Sequence, residues 1–499
     1  MNVVIFDHPR LASPARFNDI ASTPLWSAQM AGSVAANLRA VGAVVTYLDH
    51  ARPGCRFADS LGQLLALSPP LLAVNAVYFW EHTETLFTLF HSLRQEGFTG
   101  HLNLFGFFPS LVYRQILQEI PEVDSIAVGE CEHTVCELWR ALQGDGGLER
   151  VTGLARRGAD NDISLAERAV EPLPDRFPPP LRAACPEQDR TWTILASRGC
   201  YNRCSFCLIP PFDPGRGGWR GRSPENIVAE IAAAKEQGYR QFYFSDPNFI
   251  GCGKDGRART LALLDLLAPM DITFGMETRP NDLDDEIMQR LVDAGLTSLL
   301  MGVESGSADQ LRQLNKHASA ATASAAIALC RRYGIDPEIG FLMFVPDATL
   351  DDLRQNFIFL AENALLTRLD RTANLLCHRQ IVLRGTTGYE SYLQRGRLQP
   401  TGVFGFEGIV PFAEPRVAPI CETILFACHM VLHEMARRES PVYWQNPDGH
   451  CGTALNGYLV DLFGKTLAMA TGMEGVLDAA PEKEKIRSAI VALVAAAAR

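Results

Sequence analysis

The chain has 499 residues, enough for about three domains at roughly 150 residues each. Its 47% hydrophobic and 21% charged residues are typical of a globular protein and exclude a disordered or fibrous one. Lys and Arg number 46 against 57 Asp and Glu, and the net charge of −11 argues against a nucleic-acid binder that relies on a basic surface.

The N-terminal residues lack the pattern of a signal peptide, and no apolar tract is expected to reach the 18 residues of a membrane helix. The 13 Cys then favour a reducing compartment, with metal or catalytic use of the thiols. We therefore expect a cytoplasmic protein with no membrane contact.

Residues 1–150 alternate short apolar runs with helical patterns. The runs VVIF, AVVTYLD, LLAVNAVYF, HLNLFGFF and DSIAVG predict strands, and WSAQMAGSVAANLRAVG, TLFTLFHSLRQEG and HTVCELWRALQ predict helices. This alternation indicates a doubly wound parallel sheet, and such sheets bind ligands at the carboxyl ends of their strands.

Three further segments follow. Residues 151–190 include EPLPDRFPPPLRAACPEQ, whose prolines predict an extended linker with little helix or sheet. Residues 191–395 alternate again, with strands predicted at TWTILAS, QFYFSD, ITFGMETR, SLLMGVES, IGFLMFV and ANLLCHRQIVL. Six such units predict an open six-stranded (β/α) barrel. Residues 396–499 are predicted to be a helical substrate-binding or capping domain.

The strongest chemical signal is ASRGCYNRCSFC, which places Cys200, Cys204 and Cys207 in a CxxxCxxC spacing just after a predicted strand. Fe–S clusters normally use four thiolates, so three would leave one iron open to a ligand. From the spacing alone, a structural zinc site with a distant fourth ligand or a chance cluster stays open.

This loop and the barrel pattern around it resemble the radical S-adenosylmethionine (radical SAM) superfamily over about 200 residues. Phe206 matches the aromatic residue before the third Cys, and FYFSDPNFI carries Asp246 and Asn248 in a motif of the second strand. Glu304 and Ser305 occupy the GVES position after the fourth strand.

The resemblance implies a 4Fe–4S cluster held by the three Cys, with S-adenosylmethionine (SAM) on the open iron and a 5′-deoxyadenosyl radical as the reactive species. It implies SAM contacts from Phe206 and from the residues that end the strands, which are Asp246, Asn248, Glu277, Arg279, Glu304 and Ser305. For Glu277 and Arg279 a surface ion pair is the alternative.

The first 150 residues resemble the cobalamin-binding domain that precedes the barrel in one subgroup of this superfamily. LFGFFPS and VGECEHTVCELWRAL match its turns, which implies cobalamin contacts from Gly106, Pro109, Ser110, Gly129 and Glu130. The DxHxxG signature is absent, so no protein histidine is expected on cobalt. A domain that has lost cobalamin stays an alternative.

The leading hypothesis is therefore a cobalamin-dependent radical SAM enzyme that methylates an unactivated carbon of a small molecule in natural-product metabolism. Its expected partners are that substrate and an electron donor such as flavodoxin or ferredoxin. Three alternatives remain: a cyclase or rearrangement enzyme with the same cofactors, a methylthiotransferase acting on RNA or protein, and a non-catalytic cobalamin- or metal-binding module.

Overall fold

A computed structural model describes residues 2–11, 13, 16, 29–52, 54–158, 160, 162–182, 191–212, 218–444, 450–472 and 480–497. The first part of the chain forms a seven-stranded sheet in the order β2-β1-β3-β4-β5-β6-β7, in which β1 to β5 are parallel and the last two strands are antiparallel. Its elements are β1 (Asn2–Asp7), α1 (Met30–Ala40), β2 (Val44–Asp49), α2 (Phe57–Leu67), β3 (Leu71–Asn75), α3 (Glu84–Gln95), β4 (His101–Phe105), α4 (Phe107–Glu119), β5 (Ser125–Ala127), α5 (Glu132–Ala141), β6 (Leu154–Arg157) and β7 (Ile163–Leu165).

The winding direction of the sheet reverses between β1 and β3, and doubly wound sheets bind ligands at the carboxyl ends of strands at such a reversal. All five residues of β3 are buried, and so are Val3 to Phe6 of β1. Strands covered on both faces need such continuous apolar runs. The expected parallel sheet is therefore confirmed, whereas β6 and β7 lie in the segment predicted to be a linker and extend the sheet instead.

A second sheet of five parallel strands, in the order β14-β13-β12-β11-β8, follows with helices between its strands. Its elements are β8 (Thr191–Ile194), β9 (Ser197–Arg198), α6 (Ile209–Phe212), β10 (Arg220–Gly221), α7 (Pro224–Glu236), β11 (Gln241–Phe244), α8 (Gly253–Leu267), β12 (Thr273–Thr278), α9 (Asp285–Asp293), β13 (Leu296–Glu304), α10 (Ala308–Gln313), α11 (Ala320–Arg332), β14 (Glu338–Phe341) and α12 (Leu350–Glu362). The short strands β9 and β10 pair separately and antiparallel.

The sixth strand predicted at ANLLCHRQIVL is wrong for its first half, which belongs to helix α13 (Leu369–Cys377). Leu369, Ala373 and Leu376 recur at helical spacing and are buried, and the helix packs against later helices. Beyond it, Arg379 forms a single parallel bridge with Phe344 after β14. Within the described residues, this single bridge therefore stands in place of the sixth strand of the open barrel.

The last segment is mainly helical, as expected, but it begins with a three-stranded antiparallel sheet that the sequence analysis misses. Its elements are β15 (Val382–Leu383), α14 (Thr387–Gln394), β16 (Gln399–Thr401), β17 (Glu407–Ile409), α15 (Val417–Ala436), α16 (His450–Gly472) and α17 (Ala480–Ala497). Contrary to expectation, α15 is long and apolar enough to cross a membrane, but 56% of its most apolar window is buried inside the protein.

Candidate active site

The three cysteines lie in the loop between β9 and α6, on the side of the barrel sheet that faces the first sheet. Two sulfurs accept hydrogen bonds, Cys204 Sγ from the Asn202 side-chain amide at 2.9 Å and Cys207 Sγ from the Ile209 amide at 3.4 Å. Donors of this kind stabilise thiolate ligands and tune an Fe–S centre. The loop is therefore built to present sulfur ligands.

Burial raises the pKa of all three thiols, that of Cys207 to about 12. Mutual repulsion of the thiolates adds to this effect, so a cationic centre is needed to hold them deprotonated together. Among the described residues, no three His, Cys, Asp or Glu side chains are close enough to share a single metal ion. The donor set fits a cluster of several irons, with one Cys for each of three.

Neighbouring segments fix the loop from both sides. The Ser205 amide donates to Leu314 O at 2.9 Å, and Ser205 O accepts from the Gly388 amide at 2.8 Å. The Asn202 amide group also donates to Lys316 O at 3.0 Å. Phe206, predicted to contact SAM, is partly buried and packs against the barrel core.

Glu304 ends β13 beside this loop and is paired with Lys316. Their Oε1 and Nζ atoms are 2.9 Å apart, and both residues are buried. Burial alone would lower the pKa of Lys316, but the Glu304 carboxylate outweighs it and raises that pKa. Glu304 also has a left-handed backbone with φ of 71°, a conformation that in non-glycine residues clusters at functional sites. Lys316, which follows α10, is thus part of the site.

The end of β12 holds polar groups that lack partners. Burial raises the pKa of Glu277 to about 7, and the only described hydrogen bond of its side chain comes from the Tyr243 hydroxyl at 3.3 Å. Next to it, Thr278 Oγ1 and Arg279 Nε are buried without a hydrogen-bond partner. Buried polar atoms are normally bonded, so these atoms suit a bound polar ligand such as SAM. Thr278 is a residue that the sequence analysis missed.

Three other residues predicted to contact SAM form hydrogen bonds with groups of the protein. Asp246 is fully buried and accepts from the Ala196 amide at 3.0 Å and from the Ser197 hydroxyl. Asn248 donates to Asp282 at 2.7 Å and accepts from the Gly251 amide at 2.9 Å.

Ser305 is also fully buried, and it donates within a network with Gln310 and Asn356. We interpret Asp246, Asn248 and Ser305 as positioning residues for the strand ends around the Cys loop.

The residues predicted to contact cobalamin lie at the carboxyl edge of the first sheet, but they face protein groups. A Cβ at Gly106, whose φ is +123°, would lie 2.9 Å from Ala76 O. Ser110 donates to Gly106 O at 2.6 Å and accepts from the Gly129 amide at 3.0 Å, while Pro109 is buried in the first turn of α4. These residues do not form an open cradle for a corrin.

Glu130 instead ties the first sheet to the barrel. It accepts from Arg220 at 2.8 Å and from Arg198 at 3.4 Å, and Arg198 also donates to Glu132 at 2.6 Å. Arg198 and Arg220 are direct partners across β9 and β10. Two acids therefore neutralise two paired arginines, and one of these, Arg198, lies two residues before Cys200.

Two cavities adjoin this region. The larger, of about 570 Å³, lies between the carboxyl edge of the first sheet, with Tyr78 and Trp80, and the segment that carries Arg379 and Gln380. The smaller, of about 450 Å³, reaches Ser205 of the Cys loop. Gln380 lines both cavities, so they meet at one side chain.

The loop at YWQNPDGHCG, which the sequence suggests as a pocket wall, lies outside the described residues at 445–449. His8, which follows β1, is buried; its Nε2 accepts from the Val77 amide at 3.2 Å, and its Nδ1 bonds Pro9 O at 2.8 Å. Burial lowers its pKa well below the usual value. Both ring nitrogens of His8 are thus bonded to the backbone.

Comparison with known proteins is consistent with this geometry: residues 194–360 match the family model of the Radical SAM superfamily. The chain therefore contains a radical SAM domain. The matched residues of this radical SAM chain run from the end of β8 to α12 and include the three Cys, Glu277, Arg279 and Glu304.

Curated relatives include an anaerobic magnesium-protoporphyrin IX monomethyl ester cyclase of Cereibacter sphaeroides, 25% identical over 71% of this chain and 59% of its own length. A bacteriochlorophyllide d C-8(2)-methyltransferase of Chlorobaculum tepidum is 29% identical over 48% of this chain and 53% of its own. The radical SAM chain thus spans just over half the length of these relatives.

Two solved structures share the fold. The cobalamin-dependent S-adenosylmethionine radical enzyme OxsB superposes with a TM-score of 0.74 and 19% identity over 99% of this chain and 75% of its own. The radical S-adenosylmethionine methyltransferase TsrM from Kitasatospora setae gives a TM-score of 0.67 and 15% identity over 94% and 98%. Both parts of the radical SAM chain, sheet and barrel, are covered.

Proposed function

We propose that this radical SAM enzyme methylates an unactivated carbon of a small molecule, in the cytoplasm, with a 4Fe–4S cluster, SAM and cobalamin as cofactors. The observation that carries the proposal is the three-Cys loop, which lies between a parallel barrel sheet and a doubly wound sheet. This fold is shared with enzymes whose names state cobalamin dependence or methyl transfer.

The residues have distinct roles in this proposal. Cys200, Cys204 and Cys207 would hold three irons, and Glu277 and Arg279 would bind polar groups of SAM. When bound, these cofactors supply hydrogen abstraction from the substrate and a transferable methyl group, since cofactors carry the difficult chemistry and the protein orients it.

The chain's own contribution is positioning and exclusion of water. The buried pair of Glu304 and Lys316 fixes the segment whose carbonyl groups accept from Asn202 and Arg279. The cobalamin part rests on the fold, because the five residues expected to contact it face protein groups in this structure.

The test is anaerobic reconstitution with iron, sulfide and hydroxocobalamin, followed by metal analysis and assay of 5′-deoxyadenosine release from SAM with a chemical reductant. We expect about four irons per chain. Cys204→Ala should lose the cluster and the release, whereas the exposed Cys252→Ala should keep both. Retained cluster in Cys204→Ala would refute the ligand assignment, and iron without cobalt would refute the cobalamin part.

Cyclisation is the second candidate, because the cyclase relative aligns with more of the chain than the methyltransferase relative does. SAM with a deuterated methyl group separates the two, since only methyl transfer labels the product. The methylthiotransferase alternative is weaker. Its relative in Clostridium botulinum aligns with 24% of the chain, and Cys131 and Cys136, which a second cluster would need, are buried in the first sheet's core.

A further inference from the structure

Asn202 lies between the first two cysteines of the loop and bonds to both of their side chains. Its buried side-chain amide donates to Cys204 Sγ at 2.9 Å. Burial raises the pKa of the Cys200 thiol, and a hydrogen bond from the Asn202 backbone amide opposes this effect. Among the described residues, Asn202 provides the one side-chain hydrogen bond to a sulfur of the three cysteines.

The Asn202 amide is held in place because its second N–H is also engaged. Its Nδ2 lies 3.0 Å from Lys316 O and 3.2 Å from Asn315 O. An amide group has two N–H donors, so one points at the sulfur and the other is shared between the two carbonyl groups. A donor fixed in this way needs little rearrangement when the charge on the sulfur changes.

The turn that carries these carbonyl groups has further anchors besides Asn202. The Asn315 side chain donates to Arg203 O of the Cys loop at 2.7 Å, and Asn281 donates to His317 O at 3.1 Å. Asn315 and His317 both have left-handed backbones with φ of 52°, a conformation that the surrounding structure must enforce. Loss of the Asn202 side chain would therefore leave the turn and the loop joined.

The charged neighbours of Cys204 do not replace this donor. Burial has the largest effect on the pKa of the Cys204 thiol and raises it, whereas Lys316 lowers it and Glu304 raises it further. Lys316 and Glu304 are paired at 2.9 Å, so their effects on the sulfur oppose each other. Arg279 is a second cation near this sulfur, and it is one of the residues proposed to bind SAM.

We propose that Asn202 is a positioning residue that raises the reduction potential of the iron–sulfur cluster through its hydrogen bond to Cys204 Sγ. Reduction by one electron from a low-potential donor adds negative charge to the cluster and its sulfur ligands. Hydrogen bonds to the sulfurs help to set the potential of such clusters, and they are stronger to a more negative acceptor. The N–H donor therefore favours the reduced form. This inference rests on the proposed function in taking the three cysteines as the cluster ligands.

The test is a redox titration of the reconstituted full chain without SAM, in which dithionite and mediators set the potential and EPR detects the reduced cluster. Asn202→Leu keeps the approximate size of the side chain and removes the donor. We expect its ratio of reduced to oxidised cluster at the wild-type midpoint to fall about tenfold, a shift of about 59 mV to lower potential for a one-electron couple. An unchanged potential would overturn this inference alone, whereas a wild-type chain that assembles no cluster would refute the proposed function.

Asn315→Gly is the matched control. It removes an amide that anchors the same loop at Arg203 O but does not touch a sulfur, and Gly accepts the left-handed backbone without strain. Its potential should equal that of the wild type. An equal shift in Asn315→Gly and Asn202→Leu would overturn the proposal, because loosening of the loop would then explain both.

A second measurement needs no variant. Pulsed EPR of the reduced wild-type cluster, with asparagine labelled by nitrogen-15 at the side-chain amide only, should show a coupled nitrogen that changes with the label, because Nδ2 is 2.9 Å from a ligand sulfur. The label separates this nitrogen from the backbone amide of Asn202. If Asn202→Leu assembles no cluster, this measurement decides, and the absence of a labelled signal would overturn the proposal.

Discussion

Replacing the buried Asp246 with Asn should favour the folded protein more at pH 8 than at pH 5, relative to the wild type. Burial raises the pKa of this carboxyl group from its ordinary value of 3.8 to about 6. The folded state then binds the proton more tightly than the unfolded state, so stability is lost as pH rises from about 4 through 6. Two pKa units correspond to about 3 kcal/mol at pH 8, and about half of that near pH 5.

The substitution keeps the local hydrogen bonds. The amide oxygen of Asn can accept from the Ala196 amide, as Asp246 does at 3.0 Å. Its nitrogen can donate to Ser197 Oγ, whose own proton then reaches Asn248 O, 3.3 Å away. The second N–H of the amide has no described acceptor and offsets part of the gain by a similar amount at every pH. The change of the difference with pH therefore reports the removal of the buried charge.

The assay is thermal unfolding of the full chain near pH 5 and pH 8, with Asp309→Asn as an exposed control. About 3 kcal/mol corresponds to a rise in Tm of roughly 6–12 °C for a unit of the barrel's size. A difference between variant and wild type that is the same at both pH values, or one that favours the variant less at pH 8 than at pH 5, would refute the reasoning.

Three further variants test the packing around the site. Lys316→Met should destabilise the fold by about 3–5 kcal/mol, because Glu304 is left buried without its counter-ion; adding Glu304→Gln should restore much of this in chemical unfolding. Gly106→Ala should cost about 1–3 kcal/mol from backbone strain, with further loss from the contact with Ala76 O, and lower the Tm. Glu130→Gln should weaken the junction of sheet and barrel by about 1.5–3 kcal/mol and speed proteolysis between them.

Their controls come from the same chain. Gly62→Ala lies in helix α2 with open space around its Cβ, so it should leave Tm unchanged or raise it. An equal loss in Gly62→Ala would show that the Gly106 backbone is not special. If the double variant of Lys316 and Glu304 is no more stable than Lys316→Met alone, the ion pair does not account for the loss. An unchanged rate of proteolysis in Glu130→Gln would show that Glu130 does not stabilise the contact between the first sheet and the barrel.

Much of the fold could be predicted because its strands are short, buried and separated by capped helices. Helix α7, for example, starts at Ser223, whose side chain accepts from the Asn226 amide. The segment ANLLCHRQIVL was misassigned because its apolar residues fit either a strand or a helix. Packing against α15 and α16, which are distant in sequence, stabilises the helical conformation of its first half.

The functional site could likewise be predicted only in part. The Cys spacing is local and can be read directly, so it predicts the ligand loop. The partner of Glu304 is harder to find, because Lys316 follows a short helix and looks solvated until the chain folds back. Glu130 matched a turn motif, yet its actual partners, Arg198 and Arg220, lie 68 and 90 residues away. Pairings over such distances leave no periodic signal in one sequence.

The ladder of β9 and β10 limits where the chain can be cut into separately expressed domains. It sets two arginines opposite each other, and the acids that neutralise them, Glu130 and Glu132, follow strand β5 of the other sheet. A barrel expressed alone would keep both cations side by side next to the cysteine loop, with no counter-charge. Chimeras that exchange only the barrel should therefore be destabilised at this ladder by repulsion between the two arginines, unless residues 130–132 are carried with the barrel.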